Sequence, residues 1–509
     1  MQQLCVKMRC SQYTACIVLL LVGMAVSMPV VCVRAAEKDR RPNILFMFTD
    51  DQSHRSVSCY DESHPWVETP NIDHLAAEGM RFTDAYNGTW CLPVRAMMLT
   101  GRQPHGIEGL KIKKNPEGKY DPAVCRFWPA ELRKAGYHTA FIGKWHLSPD
   151  AGHGRDWDHS IVWNHAELRK AGGYYVDQKL NFDGGPHKAA GGYSTDNYTH
   201  YAEEYIKRDH KKPWFLWLCY DGVHQPFTPA ERHDDRYRNN EPVPIPKDIY
   251  PPRPDKPRYM KNYCQWKRGK GGLPERRGKT LPGAVRQYNR AVLAIDEGVG
   301  RIVQALKETG QLDKTFIVFT SDQGYAWGQH GFQWKVAPYD DNLRVPMIVR
   351  MPQRVACGTV CRQPIGGLDL IPTFFRLAET PLPWKMHGHD LSPLLKNPQA
   401  RWSHPVVLEE LGWAFGSETD GGMTNKKAFP SVPWWLSIRN GRYKYICTLV
   451  KDEIEELYDL KSDPEELHNL ALQPKHRRRL TAMRRQLIEE LRRTDAGLAE
   501  NLPAPKRLD

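Results

Sequence analysis

What this 509-residue sequence lacks excludes several classes of protein before any motif is considered. No internal repeat or low-complexity tract interrupts it, so neither a repeat array nor a disordered chain is expected. Four of its 12 cysteines (Cys5, Cys10, Cys16 and Cys32) precede residue 36, and the eight that follow are widely spaced without a CxxC pair. A small disulfide scaffold is thereby excluded. Only one long apolar run exists, at the amino end, which excludes a bundle of membrane spans. The net charge is +13, yet no helix-turn-helix, zinc-finger or RNA-binding signature accompanies it, so no nucleic-acid partner is expected.

What is present is the composition of a folded protein, 40% hydrophobic, 26% charged and 10% aromatic. The length predicts two or more domains, or one large α/β domain with an appendage. Lys7 and Arg9 precede an apolar segment from Ala15 to Val33, followed by Ala35, Ala36 and then charges. That order predicts a cleavable signal over residues 1–36 and an exported, periplasmic or secreted protein with no stable membrane partner. An uncleaved anchor is the other reading of the same run. Between Arg253 and Lys279, ten Lys or Arg face only Asp255 and Glu275. Such a loop suits a polyanion, or is a solvated surface insertion. Cys357 and Cys361 are spaced to close a small loop, and the other cysteines read as buried apolar side chains. Most of the sixteen tryptophans read as core, with some available to stack on a sugar.

Four short apolar runs each end in residues capable of chemistry. The run from Asn43 leads to Asp50 and Asp51, that from Thr139 to Lys144 and His146, that from Trp214 to Asp221 and His224, and that from Thr315 to Asp322 and Gln323. Runs this short, rich in β-branched and aromatic residues, predict buried strands. Helical patterns lie between them, over Ile72–Met80, Trp128–Ala135 and Ala284–Thr309. Strands alternating with helices predict an α/β sheet, and such sheets bind ligands at the carboxyl ends of their strands. After about residue 385, short strand-like pieces (Trp434–Ile438 and Arg442–Ile446) and a charged helix from Lys475 to Arg493 predict a smaller α+β domain.

Asp50, Asp51, Asp322 and Gln323 offer three carboxylates and an amide oxygen, a set suited to a hard cation. Calcium fits better than magnesium, which usually keeps several waters. Adjacent acids at a strand end also serve as helix caps or turns. Cys91 precedes Pro93, near a helix start, and Gly101 marks the stop, placing Cys91 where unpaired backbone N–H groups favour an anion. Arg95 adds a fork suited to sulfate or phosphate oxygens. On these grounds alone Cys91 is a thiolate nucleophile or a buried core residue.

The segment Cys91-Leu-Pro-Val-Arg95 followed by Thr100-Gly101 resembles the signature of the formylglycine-dependent (type I) sulfatases of the alkaline phosphatase superfamily. Other landmarks of that family stand in order: Arg41 to Asp51, Thr69-Pro-Asn-Ile-Asp, Gly143-Lys-Trp-His146, His224-Gln-Pro-Phe, Thr320-Ser-Asp-Gln-Gly, and the late Glu456-Leu-Tyr-Asp-Leu with Asp463-Pro-Glu. The resemblance spans about residues 41 to 475. It implies a large, mixed, mostly parallel sheet flanked by helices, with a catalytic domain over 37–385 and a smaller C-terminal domain over 386–509. It further implies that Cys91 is oxidised to formylglycine by a formylglycine-generating enzyme, and that Asp50, Asp51, Asp322, Gln323 and the modified Cys91 surround the Ca2+ or Mg2+ ion. Arg95 would orient the hydrated aldehyde, and Lys144 and Lys335 would hold the sulfate oxygens. His224 would protonate the leaving alcohol, and His146 would deprotonate the remaining hydroxyl. Two positions depart from the pattern: Val94 stands where Ser is commonest, and Gln323 where Asn or His is. The implied activity is hydrolysis of a sulfated carbohydrate. A phosphonate monoester or phosphodiester hydrolase of the same superfamily, and an inactive polyanion-binding protein, are the alternatives.

Overall fold

The structure, a computed structural model, describes residues 41–111, 119–238, 242–422, 427–428, 432–504 and 506. The signal expected over 1–36 lies outside them. The strands of the main sheet are β1 (Asn43–Thr49), β2 (Met80–Tyr86), β3 (His138–Lys144), β4 (His159–Trp163), β5 (Gln178–Phe182), β6 (His187–Ala190), β7 (Trp214–Cys219), β8 (Thr315–Ser321), β9 (Arg344–Arg350), β10 (Thr359–Cys361) and β11 (Ile365–Gly366). Their order is β10-β2-β9-β8-β1-β7-β3-β4-β5-β6, with β11 also on β2. The stretch β8-β1-β7-β3-β4 is parallel, while β9 and β2 on one side and β5 and β6 on the other join antiparallel.

The four apolar runs are therefore four adjacent central strands, and the reason lies in their burial. In β1, Ile44, Phe46 and Phe48 enter one core and Leu45 and Met47 the other. A strand covered on both faces has no position at which a polar side chain reaches water, so it reads as an unbroken apolar run. Helices α1 (Pro70–Ala77), α2 (Cys91–Thr100), α3 (Pro129–Lys134), α4 (Ser194–Ile206), α5 (Leu281–Glu308) and α6 (Leu370–Leu377) supply the cover. Residues of α2, α3 and α6 join the Phe46 core, and residues of α1, α4 and α5 the Leu45 core. Helix α5 begins three residues before its expected start because Thr280 caps the Gly283 N–H at 3.2 Å, and Pro282 is tolerated in a first turn.

A separate antiparallel sheet follows, β12 (Val406–Glu410), β13 (Trp435–Asn440), β14 (Tyr443–Thr448) and β15 (Glu456–Asp459). Helix α7 (Arg477–Arg493) covers one face, its Met483, Leu487 and Leu491 clustering with Leu436, Ile438 and Tyr445. On the other face Trp435, Ile446 and Tyr458 cluster with Tyr86, Phe332, Tyr339 and Leu343. This second sheet is clamped to the end of the main one where β2 and the loop after β8 emerge.

Two sequence readings change. Arg253 and Lys256 are not part of an exposed polyanion loop. The Arg253 guanidinium donates to the carbonyls of Asp248, Ile249, Met260 and Tyr263, and Lys256 Nζ donates to Tyr458 Oη at 2.7 Å and Glu466 O at 2.6 Å. Both are buried because long cationic side chains satisfy loop carbonyls that water does not reach. Lys267, Arg268, Lys270, Arg277 and Lys279 stay exposed. Cys357 and Cys361 carry free thiols that face the carbonyls of Val355 and Pro398 instead of each other.

Gly143 is required by a close approach. Its φ is +113°, and a Cβ there would lie 1.9 Å from the Cys219 carbonyl oxygen on neighbouring β7. Gly143→Ala is expected to lower stability by about 1–3 kcal/mol or more, read as an earlier denaturant midpoint with the slope unchanged.

Candidate active site

Because β8, β1, β7 and β3 are parallel and in register, their carboxyl ends lie side by side. Thr49 pairs with Ser321, Phe48 with Cys219, and Gly143 with Cys219. The chain leaving each strand delivers Asp322 and Gln323, Asp50 and Asp51, His224, and Lys144 and His146 to one place. Tight turns are needed to do so: Asp51 and His146 sit at φ 58° and 73°, a strained region for residues with a Cβ and one concentrated at functional sites.

The acids form a compact group. Oxygens of Asp50, Asp51 and Asp322 lie within 4.8 Å of one another, all buried. Asp322 Oδ1 accepts the backbone N–H groups of Asp51 and Gln323, both at 2.9 Å. Asp322 Oδ2, Asp50 Oδ1 and Gln323 Oε1 have no hydrogen-bond partner. Buried oxygens left this way are costly, and an all-oxygen set with three unused acceptors fits a hard divalent cation. The Gln323 amide donates through Nε2 to Asp51 Oδ1, so the longer side chain still leaves its carbonyl oxygen free. Burial raises the Asp51 carboxyl to about 6, partly countered by Lys335.

Helix α2 is buried along its whole length and starts at Cys91 beside these acids. Lys335 Nζ lies 2.9 Å from Cys91 Sγ and 2.6 Å from Asp51 Oδ1. Burial pushes the Cys91 thiol up to about 12 in spite of Lys335, so the thiol is protonated at neutral pH and is not a poised thiolate. Arg95 is buried one turn on. Its Nη1 donates to Lys144 O at 2.7 Å, its Nη2 lies 3.8 Å from Asp50 Oδ2 and 3.7 Å from Asp322 Oδ2, and Phe48 lies under the guanidinium at 5.5 Å. Lys144 Nζ donates to Asp50 Oδ2 and, at 2.9 Å, to Tyr174 Oη. Burial lowers its ammonium to about 7. Val94 is accommodated by Gly88, where a Cβ would come 2.3 Å from a Val94 methyl.

The two histidines face the same cleft as Cys91. Trp90, Cys91, His146, His224, Trp334, Lys335, Val336, Glu410, Gly412 and Trp413 line about 230 Å3 of it. His224 Nδ1 lies 2.7 Å from the Gln225 carbonyl, which only accepts, so Nδ1 carries the proton and Nε2 is left to the cleft, 3.9 Å from Asp51 Oδ2. Tyr174 stacks on His224 at 4.8 Å. Burial, and then neighbouring cations, hold both His146 and His224 well below the usual imidazole range.

All ten residues singled out in the sequence are thus in one cluster. Three neighbours were not singled out. His165, whose ring lies 4.1 Å from that of His146 and 5.8 Å from that of His224, follows β4, and Ser160-Ile-Val-Trp163 before Asn164-His165 repeats the pattern of the four longer runs. Tyr174 and Glu410 carried no local signal, since each comes from a loop or edge placed only by the tertiary fold. Lys335 is pinned from outside the main sheet: Val336 N donates to Thr89 O at 3.2 Å, and Trp435 Nε1 of β13 donates to Val336 O at 2.9 Å.

A mostly parallel sheet of this kind, with an acidic group, a helix-borne cysteine and basic side chains at its carboxyl edge, defines a hydrolase of the alkaline phosphatase-like fold. Residues 42–380 match the family model described as sulfatase, and residues 328–494 match that of the N-sulphoglucosamine sulphohydrolase C-terminal region. The chain belongs to the sulfatase family, and it is a sulfuric ester hydrolase. It is 27% identical to an N-acetylglucosamine-6-O-sulfatase of Bacteroides thetaiotaomicron, over 92% of this chain and 89% of that protein. It is 25% identical to the human N-acetylglucosamine-6-sulfatase, over 85% and 81%. It also resembles a solved structure described as a complex with its substrate D-glucosamine-2-N,6-O-disulfate, with a TM-score of 0.75 and 26% identity over 89% of this chain and 98% of that one.

Proposed function

We propose that this sulfatase hydrolyses the sulfate ester of a carbohydrate, with a 6-O-sulfated glucosamine residue as the first substrate class to test. The observation that carries the reading is Cys91 at the start of α2, with Lys335 against its sulfur, three buried carboxylates beside it and two histidines across the cleft. The substrate class rests on the names of the relatives. In this reading residues 37–385 form the catalytic domain and 386–509 a smaller domain that completes the cleft, the protein is exported, and a formylglycine-generating enzyme matures Cys91.

Asp50, Asp51, Asp322 and Gln323 would hold a divalent cation, Ca2+ by choice, which when bound supplies positive charge against a sulfate oxygen. Formylglycine hydrate at position 91 supplies one hydroxyl to attack sulfur and a second through which sulfate is afterwards expelled. Arg95 and Lys335 fix that residue from two sides, and Lys144 and Lys335 place charge where sulfate oxygens gather it. As the ester S–O bond breaks, His224 gives a proton from Nε2 to the leaving oxygen. Burial, and then the lysines, hold this imidazole neutral in the free enzyme; the negative sulfate offsets the lysines, so that Nε2 takes up the proton it then gives. His146 then takes the proton of the second hydroxyl.

A general acid matters most for a poor leaving group, and its loss typically costs about 10²–10⁴-fold. His224→Ala is therefore expected to lose activity on a sulfated sugar by that factor and far less on 4-nitrophenyl sulfate, whose leaving group needs no proton. Steady-state rates on the two substrates test this. Equal losses on both would remove the acid role. Turnover of aryl phosphodiester in preference to aryl sulfate would overturn the substrate reading itself.

A further inference from the structure

One carboxylate in the cleft has no complete set of partners. Strand β12 ends in Glu409-Glu410, and strand alternation sends their side chains to opposite faces. Glu409 turns inward and meets His105 at 2.6 Å. Glu410 turns to the cleft, among Trp90, Trp334, Trp413 and Lys335. It is 1% exposed, its Oε1 accepts the Gly412 N–H at 3.0 Å, and its Oε2 lacks a hydrogen-bond partner. Lys335, the cation lining the same cleft, already donates to Asp51 and faces Cys91. Burial pushes the Glu410 carboxyl up to about 8, with Thr89 and the Gly412 N–H pulling the other way, and a ligand donor at Oε2 favours the ionised, accepting form further.

A buried acceptor in a binding cleft that its own protein leaves unpaired carries a penalty, and a ligand donor relieves it. The aromatic walls match this. Trp90 and Trp413 meet edge to face at 4.6 Å, and Trp413 remains 42% exposed, presenting an apolar surface beside the Glu410 carboxyl. That combination suits one sugar ring, whose faces are apolar and whose rim carries donors.

We propose that Glu410 is a specificity-determining residue: when the sulfate ester sits over Cys91, Glu410 accepts a hydrogen bond from a hydroxyl or N–H on the same sugar ring. The inference rests on the sulfated-sugar reading above. The C-terminal sheet thereby reads the sugar, while the main sheet holds the sulfate.

The test compares wild type, Glu410→Gln and Glu410→Ala on 6-O-sulfated N-acetylglucosamine, its 2-, 3- and 4-deoxy analogues and 4-nitrophenyl sulfate. The ratio of kcat/KM on the sugar to that on the aryl sulfate is expected to fall by about 10- to 100-fold in Glu410→Ala, chiefly through KM. One deoxy analogue is expected to lose a similar factor with wild type and nothing further with Glu410→Ala. Thermal unfolding of each variant separates misfolding from lost recognition. An unchanged ratio in both variants, or no deoxy analogue coupled to Glu410, overturns the assignment while leaving the sulfated-sugar reading intact. Wild-type turnover of 4-nitrophenyl sulfate with none of the sulfated sugars overturns that reading, and the assignment with it.

Discussion

Cys91→Ser is expected to bind substrate and fail to turn it over, with multiple-turnover hydrolysis falling by about 10⁶-fold, the scale on which removal of a nucleophile acts. The thiol is buried, protonated and held against Lys335. Neither it nor a serine hydroxyl offers the second hydroxyl from which sulfate is released, so a variant sulfated once would stop. Intact-mass analysis of the residue 91 peptide, before and after exposure to substrate, reads both points: conversion of Cys91 in the parent protein, and a stalled sulfate on the serine. Sustained turnover by Cys91→Ser at the parent rate would sink the mechanism. An unconverted thiol in fully active parent protein would do the same, and an unconverted thiol in inactive protein would favour the polyanion-binding alternative.

Removing the divalent cation, or changing Asp51 to alanine, is expected to have the next largest effect. Three carboxylates within 4.8 Å of one another repel, and three buried oxygens of the group have no donor. Lys144, Arg95 and Lys335 offset part of that charge, yet Lys335 is also the group held against Cys91, so it cannot serve the acids alone. Chelation should therefore reduce turnover by several orders of magnitude and also lower the unfolding temperature. A cation at about 100 times its Kd stabilises by about 2.7 kcal/mol, a shift that calorimetry detects independently of activity. Asp51→Ala should abolish this calcium-dependent shift as well as turnover. Full activity in protein free of divalent cations by elemental analysis would exclude the cation's role.

The sequence was informative wherever one physical constraint dominated a short segment. Strands β1, β3, β7 and β8 are buried on both faces, so each had to be apolar throughout, and a polar residue at the end of such a run marks where the strand leaves the sheet. Parallel pairing then brings those ends together, and that rule placed Asp50, Asp51, Lys144, His146, His224, Asp322 and Gln323 on one edge without any contact being known. The start of α2 was legible from Pro93 and Gly101, whose backbone preferences act locally: Gly101 takes φ +71° as the helix cap. Strand β4 offers only a short apolar run and His165 goes unread with it, while β2, β9 and the edge strands β5, β6, β10 and β11 are polar, interrupted by charge or proline, or too short to form such a run.

By itself, then, the sequence determined the four central strands, the family, and the residues at the sheet's carboxyl edge, because burial on both faces and local backbone preference are written within a few consecutive residues. Only the tertiary structure decided which charges are spent on the protein's own interior. Lys256 and Arg253 belong to a basic stretch yet satisfy buried carbonyls, and Glu409 and Glu410 are neighbours of one type with opposite surroundings. Only the tertiary structure, too, brought Trp435 of the second sheet against the Lys335 loop and Glu410 into the cleft above Cys91. Whether a charge is paired, buried or offered to a ligand depends on atoms hundreds of residues away, and no local pattern carries that information.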